Sequence, residues 1–185
     1  MSEQSHFNDK QREQPDQAPT GLPVCDDLTS VYNQRYFRNF LETEITRARR
    51  YYRSFSLCFI EVDDMKHYNK THGDEESDKL LRFLAELLKT NIRASDLTCR
   101  FGDEEFVLVL PETPKKGAGT VAEKMRKTVE IYPFKGRDSQ PKGAITVSVG
   151  VTNFPDDAFE SSDLIENGNE ALLKARHTGG NKVRM

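Results

Sequence analysis

The feature that most constrains the fold is a pair of short strand-like runs. They are Leu97-Thr98-Cys99-Arg100-Phe101 and Glu105-Phe106-Val107-Leu108-Val109-Leu110, and they flank Gly102-Asp103. A Gly-Asp step between two such runs is turn chemistry, because glycine has no Cβ and aspartate bonds readily to nearby backbone. It predicts a hairpin, and a hairpin sets antiparallel pairing and register for both strands. Two further runs read as buried strands: Ser56 to Val62 and Ala144 to Phe154, the second with β-branched alternation. Helical spacing marks Tyr36, Phe37, Phe40, Leu41 and Ile45, then Leu80, Leu81, Leu84, Leu87, Leu88 and Ile92. It recurs over Thr120 to Ile131, on Val121, Met125 and Val129, and over Leu164 to Arg176. Lys182-Val183-Arg184 reads as a closing strand. The order helix, strand, helix, hairpin, helix, strand, helix, strand implies a mixed sheet with helices packed on it, an α/β (α+β) fold.

Several function classes are excluded early. The 185 residues are 36% hydrophobic and 31% charged, which suits one domain with a modest core. No run approaches the ~18 apolar residues of a membrane span. Residues 1–24 are rich in Gln, Asp, Ser and Pro, with Phe7 the sole aromatic. They are expected to form a disordered tail, a tether or docking peptide for a protein partner, ahead of a domain over 25–185. The tail has no apolar h-region, so no secretory signal is expected. With 27 basic against 30 acidic residues, net charge −3, no nucleic-acid partner is expected. Cys25, Cys58 and Cys99 form no CxxC pair, so neither disulfides nor zinc are indicated, and reduced thiols fit a cytoplasmic location.

Acidic residues cluster twice. Glu61, Asp63 and Asp64, followed by Lys66, end the first strand; Asp103, Glu104 and Glu105 lie in the hairpin. Carboxylates on neighbouring strand ends suit a hard divalent cation, most simply Mg²⁺ on a nucleotide. Acids at such places are also commonly plain solvated surface.

The hairpin carries a resemblance. Arg100-Phe101-Gly102-Asp103-Glu104-Glu105-Phe106 resembles the RYGGDEF signature of the GGDEF family, the diguanylate cyclases and their degenerate relatives. Asp26 to Asn33 is similar to the family's DxLTGLxN, and Glu61 to Asn69 to its DIDxFKxxN. Gly73 through Asp78 to Leu81 follows GHxxGDxxL, and Ile145 to Val151 is similar to VTxSIGVA. Ala171-Leu172 through Val183 resembles ALYxAKxxGRNxV. The resemblance implies a nucleotide-cyclase palm-like fold with a central mixed five-stranded sheet surrounded by helices. It also implies the joining of two GTP molecules into cyclic di-GMP by two facing domains.

By the same resemblance, Glu61 and Glu104 stand at side-chain metal-ligand positions and Val62 offers a backbone carbonyl, for Mg²⁺ if the GTP site works. Lys66 matches a phosphate contact. Asn69 and Asp78 match the residues that read guanine, and Gly102, Asp103, Glu104 and Glu105 form the signature turn. There are departures. Glu61 replaces an Asp, and Asp103 replaces a Gly that is expected to need positive φ and close approach to the nucleotide. Ser30 replaces the Gly of LTG, Lys70 an Asp, Asp74 a His and Ser77 a Gly. Gly180 replaces an Arg, so one phosphate contact is expected to be missing.

A second site is better kept. Arg93-Ala94-Ser95-Asp96 matches the family's RxxD inhibitory site, where cyclic di-GMP binds. A guanidinium can pair with guanine O6 and N7 or with phosphate, and a carboxylate can accept from the guanine N1–H and amino group. The plain alternative is an i,i+3 ion pair. Arg126 is the expected further arginine, with Arg47 or Arg50 reaching over from another protomer. Retained RxxD beside an altered GDEEF leads to the expectation of a catalytically inactive receptor for cyclic di-GMP that signals to a protein partner and dimerises with its ligand. The alternatives are an active cyclase with product feedback and a nucleotide-independent scaffold.

Overall fold

The computed structural model describes residues 23–185, and its strands form one mixed sheet in the order β2-β3-β1-β4-β5. The strands are β1 (Phe55–Val62), β2 (Leu97–Arg100), β3 (Glu105–Pro111), β4 (Val147–Phe154) and β5 (Val183–Arg184). The helices are α1 (Gln34–Tyr51), α2 (Met65–His72), α3 (Asp74–Thr90), α4 (Lys115–Ile131) and α5 (Ser161–His177). β1 is central and antiparallel to both β3 and β4; β2 and β3 make the expected hairpin, and β5 lies parallel to β4.

Residue alternation along β1 sends its side chains to two cores. Cys58, Ile60 and Val62 join Phe106, Leu108, Val147 and Val149 under α3 and α4. Phe55, Leu57 and Phe59 join Val107, Val109 and Phe154 under α1 and α5. A strand covered on both faces reads as a continuous apolar run, which is why β1 was legible. The run ends at Glu61, on the α5 face, still only 8% exposed. The central mixed five-stranded sheet surrounded by helices is therefore present as expected.

Local differences have local causes. α2 was not expected as a separate helix: it has eight residues and buries only Met65 and Tyr68, too few for a visible period. It is separated from α3 by Gly73, whose φ of 83° interrupts helical backbone. α4 begins at Lys115 rather than Thr120, because Gly117 and Gly119 mask a turn whose Ala118 is fully buried. The expected tail lies outside the described residues up to 22; Val24 is buried and its carbonyl accepts from Asn33 N–H at 2.9 Å. Among the described residues no helix is long and apolar enough to cross a membrane.

α5 reaches the sheet through two glycines. A Cβ on Gly150 of β4 would lie 2.2 Å from the Gly168 carbonyl and 2.3 Å from Leu172 N; one on Gly168 would meet the Phe59 ring at 2.3 Å. Backbone cannot yield as a ring can. Gly150→Ala is expected to cost about 2 kcal/mol or more, seen as a lower urea midpoint. Gly168→Ala should cost less, because Phe59 can shift and alanine favours helix. Equal midpoints for Gly150→Ala and the parent protein would refute this packing.

Candidate functional site

The site forms where β1 runs into α2. Glu61 sits between Glu105 of β3 and Ser148 of β4 in the sheet register. The Val62 N–H donates to the Glu104 carbonyl at 3.4 Å, so the hairpin is tied by backbone to the end of β1. Arg176, near the end of α5, donates to Glu61 at 2.9 Å. Burial pushes the Glu61 carboxyl up to about 7, against the pull of Arg176 and with help from Glu105, Glu104 and Asp63. Glu104 is likewise raised, first by burial, with Lys66 and Arg176 opposing and Asp103 and Glu105 adding. The Glu61 and Glu104 carboxylates are oxygen donors of the kind Mg²⁺ takes, one or two at a time with water and phosphate completing its shell; among the described residues no group of three or more His, Cys, Asp or Glu is gathered closely enough to hold an ion alone.

Asp63, not singled out as a site residue, is a structural centre. Its carboxylate accepts from Thr146 Oγ1 and Ser148 Oγ, both at 2.7 Å, and from Asn181 N–H at 2.7 Å. Asp64 follows with φ 56° and opens α2 without a side-chain cap, which leaves the helix N-terminus beside exposed Lys66. Asn69 donates to Asp74 at 2.8 Å, so the residue that replaces the family's His holds Asn69. Asp78, one turn into α3, lies 3.9 Å from Arg82.

The hairpin turn is closed by the Glu105 carbonyl, which accepts from Phe101 N–H at 2.7 Å and Gly102 N–H at 3.2 Å. A Cβ at Gly102 would meet Glu105 Oε2 at 2.8 Å, a contact the flexible Glu105 side chain could relieve by turning. Asp103 corrects the sequence reading. It is exposed and is not among the left-handed residues, so an L-side chain fits there without backbone strain. The position that does demand positive φ is Ser30, at 59°, another of the replaced glycines. Arg100 supports the turn: it donates to the Asp103 carbonyl at 2.8 Å and pairs with Asp26 at 3.1 Å.

The RxxD segment is a tight turn, not a side-chain ion pair. Asp96 Oδ2 accepts from Arg93 N–H at 3.0 Å, and Asp96 N–H donates to the Arg93 carbonyl at 3.0 Å. Among the described residues the Arg93 guanidinium has no hydrogen bond or ion pair, and it is exposed. The turn separates two clefts. One, about 580 Å³, is lined by Tyr32, Tyr36, Phe40, Lys89, Arg93 and Asp96. The other, about 490 Å³, is lined by Arg93, Asp96, Glu112 and Lys124.

Arg126 is not brought to this turn. It donates to Glu123 at 2.8 Å, Glu130 at 2.9 Å and Asn181 Oδ1 at 2.6 Å, and so clamps the loop whose Asn181 N–H holds Asp63. Two residues along a helix is ~200° of rotation, so Arg126 faces away and Lys124 takes the RxxD side. Lys124 donates to the Asn91 carbonyl at 2.9 Å. Arg47 is held by Glu44 and reaches Glu112, on the rim of the second cleft, at 3.3 Å.

The diguanylate cyclase GGDEF-domain family matches residues 24–182. The chain belongs to the GGDEF family. Among curated relatives, response regulator PleD of Caulobacter vibrioides is 33% identical over 162 residues, 88% of this chain and 36% of PleD. Diguanylate cyclase DosC of Escherichia coli is 32% identical over 86% of this chain and 34% of its own. The chain thus spans about a third of the length of these relatives. Among solved structures, the GGDEF domain of DgcB from Caulobacter crescentus in complex with c-di-GMP aligns with TM-score 0.78 and 26% identity, over 87% of this chain and 94% of that one. The active GGEEF domain of a diguanylate cyclase from Vibrio cholerae aligns with TM-score 0.76 and 27% identity, over 87% and 96%. Diguanylate cyclase SiaD from Pseudomonas aeruginosa, in complex with its activator SiaC, aligns with TM-score 0.78 and 33% identity, over 86% and 60%.

The expectation that this GGDEF domain is not an enzyme is overturned by these comparisons: named diguanylate cyclases are about as similar to it in sequence as any relative reported above. A domain described as active aligns over most of both chains. The physical ground for the expectation is also reduced, since Asp103 introduces charge but no backbone strain.

The Asp26–Arg100 pair yields a pH prediction. Burial raises the Asp26 carboxyl, but hydrogen bonds from Thr29 and Arg100 outweigh it, and the net shift is below the ordinary 3.8. A depressed carboxyl contributes stability above its unfolded pKa and loses it as pH falls through the folded one. Asp26→Asn should therefore cost about 1–2 kcal/mol at neutral pH, with the gap to the parent closing below pH ~3.8 as the unfolded-state carboxyl protonates. Urea midpoints from pH 6 to 2.5 read this; a gap that stays constant with pH would refute it.

Proposed function

We propose that the domain is a diguanylate cyclase with product feedback. Two copies face each other, each holding one GTP. The 3′-hydroxyl of one attacks the α-phosphate of the other, a P–O bond forms, and the bond to pyrophosphate breaks; repetition in the other direction closes cyclic di-GMP. Such a transfer depends mainly on positioning and on charge neutralisation. Glu61, Glu104 and the Val62 carbonyl would hold Mg²⁺, which supplies Lewis-acid activation of phosphate and hydroxyl oxygens. Lys66 and the open N-terminus of α2 favour phosphate, Asn69 and Asp78 read the guanine edge, and Arg176 balances the carboxylates. The observation that carries this reading is geometric: Glu61 at the end of β1 pairs with Arg176 at 2.9 Å, and the next residue, Val62, is hydrogen-bonded to the Glu104 carbonyl of the hairpin turn, so the two carboxylate-bearing segments are tied together.

Feedback is assigned to Arg93 and Asp96, with Lys124 in the place expected for Arg126. The Arg93 guanidinium, exposed and without an ion pair among the described residues, and the cleft it shares with Lys124 support this. A protein partner, as SiaD has in its activator SiaC, and a ligand-dependent homodimer belong to the same proposal.

With GTP and Mg²⁺ the purified protein should release pyrophosphate and cyclic di-GMP. Glu104→Gln should lower the rate roughly 100-fold or more. Arg93→Ala should keep the initial rate but lose inhibition by added cyclic di-GMP. No product from the parent protein, freed of carried-over nucleotide, would sink the cyclase reading; inhibition unchanged in Arg93→Ala would sink the feedback assignment.

A further inference from the structure

The loop after α5 places Gly180 directly over the acidic end of β1. Its φ is 64°, and a Cβ built there would lie 2.8 Å from Asp63 Oδ1 and 2.9 Å from Lys142 Nζ. The space at the root of a residue-180 side chain is thus filled by an ammonium from another segment, the turn before β4. That ammonium donates to the Gly179 carbonyl at 2.7 Å and stands 4.0 Å from Asp63 Oδ2. Asp63 is already occupied by two hydroxyls and a backbone N–H, so it does not draw Lys142 into a close pair. An ammonium has three donors, and the Lys142 side chain is 35% exposed. Charge and donor capacity are left over beside the acidic end of β1.

The charge balance of the site gives this residue a task. Six carboxylates lie within residues 61–64 and 103–105: Glu61, Asp63, Asp64, Asp103, Glu104 and Glu105. A polyphosphate entering there adds further negative charge. Arg176 is engaged with Glu61, and Lys66 acts on Glu104 through space alone, with no ion pair between them among the described residues. We propose that Lys142 is a polyphosphate-binding residue of the GTP site, supplying the cation that residue 180 does not carry. This rests on the nucleotide reading above and adds a residue to it.

The test uses the full chain and α,β-methylene-GTP, whose scissile P–O bond is replaced by P–C, titrated calorimetrically with Mg²⁺ beside GMP. Lys142→Gln keeps a donor for the Gly179 carbonyl but removes the charge. Its affinity for α,β-methylene-GTP should fall ~10-fold, while Lys142→Arg stays near the parent. Affinity for GMP should be unchanged in both, which a merely structural role in the loop would not produce. Parent-like binding of α,β-methylene-GTP by Lys142→Gln, or equal losses for both ligands, would overturn the inference alone. Failure of the parent protein to bind α,β-methylene-GTP would overturn the nucleotide reading and this inference with it.

Discussion

Burial of β1 on both faces is the constraint on which the rest of the domain depends. A central strand with cores above and below must be apolar along its length, and both its neighbours must pair with it throughout. Its last turns of pleat are where this rule is broken. Glu61 is held in a place that would ordinarily take an apolar side chain, and its carboxyl is raised in consequence. Desolvated carboxylates gain from any cation that reaches them, and α5 delivers Arg176 to that point. The local cost of the site and its capacity to take a cation therefore share one cause.

Around that strand end the polar network is layered. Arg126 and Glu130 hold Asn181, the Asn181 backbone holds Asp63, and Asp63 holds the hydroxyls of Thr146 and Ser148 on either side of the first residue of β4. On the other flank Asp26 holds Arg100, and Arg100 holds the Asp103 carbonyl. The hairpin and the post-α5 loop are thus each fixed by a charged residue from a distant element. Neither depends on a left-handed residue at position 103.

Much of the fold was legible because its signals are periodic. The apolar run of β1, the β-branched alternation of β4, the leucine stripe of α3 and the Gly-Asp turn each report local geometry that tertiary structure then used unchanged. What escaped was short or masked by composition: α2 buries two side chains, and the first turn of α4 hides behind two glycines. In the site, motif positions came through, but directions did not. Arg126 and Lys124 are indistinguishable as cations in a string, and only the helical rotation sends one to Asn181 and the other to Asn91. The meaning of a lost glycine was equally hidden, since Asp103 needs no special backbone and Ser30 does. The role of Asp74 as the partner of Asn69 was invisible without the fold.

The glycine contact between β4 and α5 has a consequence for time as well as for space. At Gly150 the backbone of β4 meets the backbone of α5 directly, with no side chain between them on which the helix could slide or roll. Interiors packed this closely transmit displacement rather than absorb it. Arg176 is therefore carried on a helix fixed closely against the sheet, and side-chain rotation, ordinarily a ps–ns event, needs none of the μs–ms rearrangement that moving such a helix would. A salt bridge carried this way can break and re-form by side-chain rotation without the helix having to move.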